Sequence, residues 1–340
     1  MKKLKVIVIG LGHDHAPPIF DSAISQNELF EVVAFAVPKE EELTFSERIE
    51  KYKKLGIPQL SVSEALDIPG LDAAIIETEE HNLCKYAKMA VERGLHIHMD
   101  KPGSPNSSEF YGLADEIKAR GLIFSIGYMY RFNPVIRSAI ERAKSGELGK
   151  IYSVEIQMSC EHKPEKRKWL ARLPGGMMFY LGCHLVDMVY QIQGEPLEII
   201  PCNASINADG AEDFGMAVFK YENGCSFIKT AAAEPGGFFR RQLVICGERG
   251  TIEIKPLEFE DEKRESGRLD LYTEKREFSS AFNWNDTGTL TVSDMYNRYD
   301  GMMQHFAACV RGEKEPLFPV DYEKNLYRLL LKACNTKEEI

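Results

Sequence analysis

Three groups of residues in this 340-residue chain have types and spacing suited to chemistry. The first is Ile9-Gly10-Leu11-Gly12, directly after the apolar run Lys5 to Ile9. A glycine closing a buried strand allows a tight turn. A second one two residues on lets the backbone approach a pyrophosphate, with partial positive charge from the next helix N-terminus. In the full G-x-G-x-x-G pattern the third glycine would fall on His15. The second group is a polar stripe, Tyr180, His184, Asp187 and Gln191, beside an apolar stripe, Leu181, Leu185, Met188 and Ile192, both at helical spacing. Such a stripe faces solvent or lines a cleft, and its imidazole is a base with a pKa near neutrality. The third group is His13-Asp14-His15. Two histidines two apart in a turn rarely hold an ion without a third ligand, so no metal site is expected.

Other chemistries lack their signatures. The eight cysteines lie no closer than 19 positions apart, which excludes a C-x-x-C zinc or redox motif. No G-x-S-x-G elbow supports a hydrolase triad. Lys plus Arg number 42 against 52 Asp plus Glu, a net charge of −10. That balance argues against nucleic acid or an anionic membrane as the main partner. No apolar run approaches the ~20 residues of a membrane span. After Met1-Lys2-Lys3-Leu4-Lys5 the apolar stretch ends at Ile9, too short for a secretory signal. A reduced, cytoplasmic protein is expected.

The elements that must position these residues follow from the hydrophobic periods. Short apolar runs at Lys5–Ile9, Val32–Val37, Ala73–Ile76, His96–Met99 and Leu122–Ile126 alternate with helical patterns at Ile19–Asn27, Glu40–Leu55, Leu83–Arg93 and Ser108–Arg120. Strands alternating with helices imply a doubly wound parallel sheet. After about Asn133 the pattern changes. A helix at Pro134–Ser145 leads to Ile151–Ser159, which alternates between faces. Phe214–Tyr221 and Cys225–Ala231 flank Asn223-Gly224, a hairpin signal. Gln242–Cys246, Thr251–Lys255 and Leu269–Thr273 read as further strands, and Met295–Val310 and Tyr322–Ala333 as helices. The expected fold is therefore α/β. A Rossmann dinucleotide-binding domain spans residues 1–127, and an α+β domain with a large, mostly antiparallel open sheet spans 128–340. The charged segment Glu258–Arg268 and the basic tract Glu161–Arg172 read as exposed loops, the tract having an alternative role in binding an anionic sugar.

The second strand ends in Ala36-Val37-Pro38-Lys39, with no acid until Glu40. An acid closing that strand binds the ribose hydroxyls of NAD. Its lack removes a repulsion against a 2′-phosphate, and Lys39 attracts one, so the cofactor reading, NAD or NADP, leans toward NADP.

Further along, Glu77-Thr78-Glu79-Glu80-His81, Gly94-Leu95-His96-Ile97, Met99-Asp100-Lys101-Pro102 and Gly127-Tyr128-Met129-Tyr130-Arg131-Phe132-Asn133-Pro134 appear in that order. Gly175-Gly176, Gly182-Cys183-His184, Asp187 and Gly247-Glu248-Arg249-Gly250-Thr251-Ile252-Glu253 follow. In order and spacing these segments resemble the Gfo/Idh/MocA family of sugar and polyol oxidoreductases, over essentially the whole chain. The resemblance implies a nicotinamide cofactor, a sugar or polyol substrate held between two domains, and homodimers or homotetramers built on the open sheet. The family's Glu-Lys-Pro lysine falls on Lys101 and its catalytic histidine on His184. Its catalytic aspartate falls on Tyr180, a departure. Glu79 and Glu80 replace the family's Pro-Asn and repel a pyrophosphate unless they turn to solvent.

Oxidising a secondary alcohol requires a base for the hydroxyl proton and a cation for the developing alkoxide. The resemblance thus gives Lys101 as cation and His184 as base, with Tyr180 bonding the sugar or relaying the proton. Gly10, Gly12, His13, His15, Lys39, Thr78, Glu79, His81, Asp100 and Lys101 are the expected cofactor contacts. Arg131, Tyr180, His184 and Asp187 are the expected substrate contacts, with Arg131 alternatively pairing with an acid or bridging the domains. Two other functions compete: a lyase or hydrolase that oxidises its sugar transiently, and a nucleotide- or sugar-binding protein without catalysis.

Overall fold

Strands and helices alternate through the first third of the chain. They are β1 (Leu4–Ile9), α1 (Ala16–Ser25), β2 (Phe30–Ala36), α2 (Lys39–Glu42), α3 (Ser46–Lys54), β3 (Gln59–Leu60), α4 (Val62–Leu66), β4 (Ala73–Ile76), α5 (Leu83–Glu92), β5 (His96–Met99), α6 (Ser107–Arg120) and β6 (Phe124–Ile126). The computed structural model describes residues 2–207, 210–260 and 270–336. The six strands form a wholly parallel sheet in the order β3-β2-β1-β4-β5-β6. All four residues of β4 are buried, as a central parallel strand covered on both faces requires. Strand order reverses between β1 and β4, where an open α/β sheet leaves a crevice at its carboxyl edge. The register pairs Ile9 with Ala36 and Ile76, and Ile76 with Met99. It therefore sets Gly10, Val37, Glu77 and Asp100 in one row beyond the strand ends.

The charged run from Glu40 to Leu55 is two helices, not the one expected. The break at Leu43–Phe45 follows from Glu41, whose carboxylate is buried and bonded to backbone N–H groups outside its own helix.

The later elements are α7 (Pro134–Lys144), β7 (Ile151–Gln157), α8 (Pro164–Trp169), α9 (Cys183–Gln193), β8 (Glu198–Pro201), β9 (Phe214–Tyr221), β10 (Gly224–Ala231), β11 (Gln242–Gly247), β12 (Gly250–Ile254), β13 (Phe259–Glu260), β14 (Asp270–Tyr272), β15 (Glu274–Ser279), β16 (Thr289–Val292), β17 (Tyr296–Asn297), α10 (Asp300–Val310) and α11 (Val320–Ala333). Eight strands form a sheet ordered β16-β15-β12-β11-β7-β10-β9-β8, antiparallel except where β7 meets β10. Alternate residues of β7, β9 and β11 are buried and half-exposed, so one face carries the core. The β9–β10 hairpin pairs Tyr221 with Gly224, so its two loop residues are Glu222-Asn223, one position before the expected pair. Gly224 belongs to the strand, where a Cβ would press on the Tyr152 carbonyl.

The chain divides into two units, Met1–Met129 with Tyr299–Lys324, and Tyr130–Arg298 with Asn325–Ile340. The expected single division at 127/128 therefore misses the return of Tyr299–Lys324 to the first unit. There Asp300 of α10 accepts from Ser22 Oγ of α1 at 2.7 Å. The expected helix start at Met295 moves to Asp300, because Tyr296 and Asn297 pair with β14 instead. The expected loop at Glu258–Arg268 begins with a buried Glu258 and strand β13, and residues 261–268, like Leu269, lie outside the described residues. Among the described residues no helix is long and apolar enough to cross a membrane.

Candidate functional site

In the first unit, Gly10 has φ +90° and its N–H donates to Ala36 O at 2.8 Å. A Cβ there would lie 2.4 Å from Thr78 Cγ2, so the β1 turn closes directly on the residue after β4. At Gly12 a Cβ would lie 2.7 Å from Glu79 N and 2.8 Å from Glu41 Cδ. The glycine pair thus makes a close approach of three chain segments, as a dinucleotide cradle requires. The α1 N-terminus differs from expectation. Ala16 N donates to His13 O, and Pro17 and Pro18 have no N–H. The helix keeps its dipole, but its first turn has little to donate to a phosphate.

Two side chains hold this turn, and neither was expected from the sequence. Arg48 of α3 donates to the carbonyls of Leu11 at 2.5 Å and His13 at 3.0 Å. Glu41 accepts from Glu79 N at 2.8 Å and Leu11 N at 3.4 Å. Burial pushes the Glu41 carboxyl up to about 7, against the pull of those two N–H groups. Lys39, the expected phosphate contact, is exposed at the start of α2. β2 ends at Ala36 and Val37-Pro38-Lys39 follows, so no acid closes that strand; the buried Glu41 carboxylate stands at the glycine turn instead. Glu79 is partly exposed beside His81, at 3.6 Å, whereas Glu80 is buried with an oxygen 3.5 Å from His13 Nε2.

Asp100 and Lys101 follow β5 and are buried, and the Lys101–Pro102 peptide is cis. Lys101 N donates to Asp100 Oδ1 at 2.6 Å. Asp100 Oδ2 lies 2.9 Å from His13 Nδ1 and 3.2 Å from His15 Nδ1. Burial opposes the Asp100 charge, and the two imidazoles outweigh it, holding the carboxyl well below its usual range. Asp100 is the third group that the His13–His15 turn lacked, and donor atoms of the three lie within 4.8 Å of one another. His15 Nδ1 is also 3.3 Å from Asp100 Oδ1, and His13 Nδ1 accepts from His15 N at 3.1 Å. Behind Asp100, Glu77 is fully buried, and burial followed by the Asp100 charge raises its carboxyl well above the usual range. His98 stands 4.0 Å from Glu77 and is pulled down to about 4 by burial.

In the second unit, a π-helical turn over Met178–Gly182 leads into α9. Gly175 and Gly176 have φ +65° and +51°, and a Cβ on Gly176 would lie 2.1 Å from Glu212 O, so only glycine fits before this turn. α9 is buried from Cys183 to Val189, which overturns the reading of a solvent-facing amphipathic helix. His184 meets the edge of the Tyr130 ring at 5.1 Å between centroids. Tyr130 donates to Glu258 at 2.8 Å and accepts from Arg241 at 2.9 Å. Asp187 accepts from Arg131 Nε at 2.9 Å, Arg131 Nη2 at 2.8 Å and Gln191 Nε2 at 2.8 Å. Arg131 thus pairs with an acid, and the pair lies within one unit rather than bridging two.

The tract expected to be a loop at Glu161–Arg172 instead contains α8. Lys166 Nζ lies 3.9 Å from the Trp169 ring centroid and 4.6 Å from that of Tyr180, and Arg167 donates to the buried Asp213. Tyr180 is therefore set in an aromatic and cationic pocket of its own unit, with His162 alongside. Helical spacing alone gave no sign of these partners.

A parallel Rossmann sheet with a glycine turn, joined to a unit built on a large mostly antiparallel sheet, defines a two-domain nucleotide-dependent oxidoreductase. A model described as an oxidoreductase family with an NAD-binding Rossmann fold matches residues 4–128, and one described as the GFO/IDH/MocA C-terminal domain matches residues 136–253. The chain belongs to the GFO/IDH/MocA family. It is 26% identical over 275 residues to scyllo-inositol 2-dehydrogenase (NAD(+)) of Bacillus subtilis, covering 78% of this chain and 75% of that one. It is also 26% identical over 177 residues to D-xylose 1-dehydrogenase (NADP(+)) 2 of Haloferax volcanii, covering 51% of this chain and 54% of that one. The aldose-aldose oxidoreductase of Caulobacter crescentus, solved with glycerol, shares the fold with a TM-score of 0.76 at 18% identity, covering 98% of each chain.

Proposed function

We propose that this protein transfers a hydride between a nicotinamide dinucleotide and a secondary hydroxyl of a sugar or cyclic polyol. The observation that carries this reading is the row of Gly10, Glu77 and Asp100-Lys101 along the carboxyl edge of a Rossmann sheet, with the lysine buried. When bound, the nicotinamide accepts or returns the hydride.

The backbone at Gly10, Gly12 and Thr78 would cradle the dinucleotide, and the loop at His13 and His15 would meet its phosphates. Glu79, His81 and Lys39 would border it. Lys101 would stabilise the alkoxide as the hydroxyl loses its proton, and Asp100 would fix the Lys101 backbone. His184 would take that proton as an uncharged imidazole in a water-poor setting. Tyr180 would hydrogen-bond the substrate, with Arg131 and Asp187 holding the substrate side of α9. Relatives named for inositol and xylose support a polyhydroxylated substrate.

The half-exposed face of the eight-stranded sheet supports homodimers or homotetramers, since a broad half-apolar face favours cover. Eight free cysteines support a reducing compartment such as the cytoplasm. The test is a panel of inositols, aldoses and uronates with NAD+ and NADP+, read by reduced nicotinamide. Reduction with at least one polyol is expected. Failure of both cofactors to bind would overturn the reading.

A further inference from the structure

We propose that His13, His15 and Asp100 together bind a divalent transition-metal ion of the zinc class. The proposal goes beyond hydride transfer and does not depend on it.

The sequence sets two imidazoles two residues apart in a turn, a pair with no third ligand in its own segment. The parallel sheet supplies the third. Asp100 follows β5 as Gly10 follows β1, so the fold brings to the turn a carboxylate 85 positions from His15. Asp100 Oδ2 lies 2.9 Å from His13 Nδ1 and 3.2 Å from His15 Nδ1. Two ligands that are each about 2.1 Å from one ion stand about 3.0 Å apart at an octahedral angle and about 3.4 Å apart at a tetrahedral one. The two separations are therefore those of atoms sharing an ion.

Hydrogen bonding alone leaves the grouping unexplained. His15 N–H donates to His13 Nδ1, so that nitrogen presents a lone pair, not a proton, beside the carboxylate. Asp100 Oδ2 is buried and makes no hydrogen bond among the described residues. A lone pair facing an anionic oxygen repels it, and a buried carboxylate oxygen without a donor is costly. A cation held by both atoms removes both penalties. Its binding would move the His13 lone pair from the His15 N–H to the metal.

The surroundings are those that a metal site needs. Asp100 Oδ1 accepts from Lys101 N at 2.6 Å, which holds the carboxylate and leaves Oδ2 to the ion. Gly127 makes room for this carboxylate, since a Cβ there would stand 2.8 Å from Oδ1. His13 Nε2 faces Glu80 at 3.5 Å. A carboxylate behind a ligating imidazole fixes its tautomer and raises its basicity. The turn itself is pinned, with His13 N donating to Glu77 O at 3.0 Å and Arg48 donating to His13 O at 3.0 Å. Two nitrogens and one carboxylate oxygen suit zinc, cobalt or nickel, whereas magnesium and calcium take oxygen ligands. Three protein ligands leave a further position for an oxygen from solvent, and the His15 side chain, 17% exposed, gives the site its way in.

The test uses untagged full-length protein freed of metal by a chelator. Calorimetric titration with Zn2+, Co2+ and Mg2+ compares wild type with His15→Ala and Asp100→Asn. Wild type is expected to take up one equivalent of Zn2+ or Co2+, and to bind Mg2+ at least ~100-fold more weakly. The cobalt spectrum should lack the thiolate charge-transfer absorption that ligation by any of the eight free cysteines would give. Each variant should weaken Zn2+ binding at least ~100-fold. A wild type without stoichiometric Zn2+ or Co2+ binding, with a thiolate cobalt spectrum, or with Mg2+ bound as tightly as Zn2+ overturns the proposal even if neither variant folds. So does unchanged Zn2+ affinity in folded variants. None of these outcomes bears on hydride transfer, which is read separately by reduced nicotinamide.

Discussion

The Arg131–Asp187 pair gives a prediction whose size follows from its geometry. The guanidinium is 5% exposed and the carboxylate 3%, and three hydrogen bonds of 2.8–2.9 Å converge on the carboxylate. Asp187→Ala removes the carboxylate on which these three bonds converge and breaks a buried ion pair, a loss of about 3–5 kcal/mol. For a unit of this size each kcal/mol moves the melting temperature by about 2–4 °C, so the variant should melt about 6–20 °C lower. Asp187→Asn keeps the shape and one acceptor and should fall between. Removing both charges, as Arg131→Met with Asp187→Leu, should restore stability to within about 1 kcal/mol of wild type or exceed it. Calorimetry on the four proteins, with urea unfolding as a check, reads the cycle. The reasoning would be refuted by Asp187→Ala melting within about 2 °C of wild type, or by the double variant losing as much as the two single variants combined.

Other predictions concern the base, the turn and pH. His184→Asn should lower turnover at least ~10²-fold with cofactor affinity unchanged, and near-normal turnover would transfer the proton to Tyr180. Gly12→Ala places a methyl 2.7 Å from Glu79 N. Overpacking of this kind destabilises by about 1–3 kcal/mol and should weaken NAD+ binding, both measurable by melting with and without cofactor. His98 is fully buried, and its imidazole is pulled from 6.5 to about 4 by burial, against the charge of Asp100. The unfolded state therefore binds more protons between those values, so stability rises with pH across that window and is lost as pH falls through it. The change is up to about 3 kcal/mol. His98→Gln should flatten that part of the profile in urea titrations at stepped pH, and an unchanged slope would contradict the assignment.

The first sheet was legible because its strands are short apolar runs closed by glycine or polar residues. Ala73–Ile76 and His96–Met99 read directly from sequence. Errors arose where tertiary partners override local pattern. The run Lys39-Glu40-Glu41-Glu42 looks like a solvated helix face, and only the fold brings the N–H groups of Leu11 and Glu79 to Glu41. Met295–Asn297 continues a helical pattern, yet pairing with β14 draws Tyr296 and Asn297 into a strand. The site divides in the same way. The glycine turn and the Asp100-Lys101-Pro102 segment announce themselves by residue type. The contacts of Asp100 with His13 and His15, and of Asp187 with Arg131, join residues 56 or more positions apart, which no local spacing encodes.

The central claim, hydride transfer from a substrate carbon to nicotinamide with Lys101 supporting the alkoxide, is tested by isotope tracing. An active polyol deuterated at its carbinol carbons is incubated with NAD+ and wild type or Lys101→Met, and the reduced nicotinamide is examined by mass spectrometry. The account predicts one deuterium on the reduced nicotinamide with wild type, and at least ~10²-fold slower transfer with the variant although it still binds NAD+. Product formed while the added cofactor stays oxidised and unlabelled, or undiminished transfer by Lys101→Met, would contradict it.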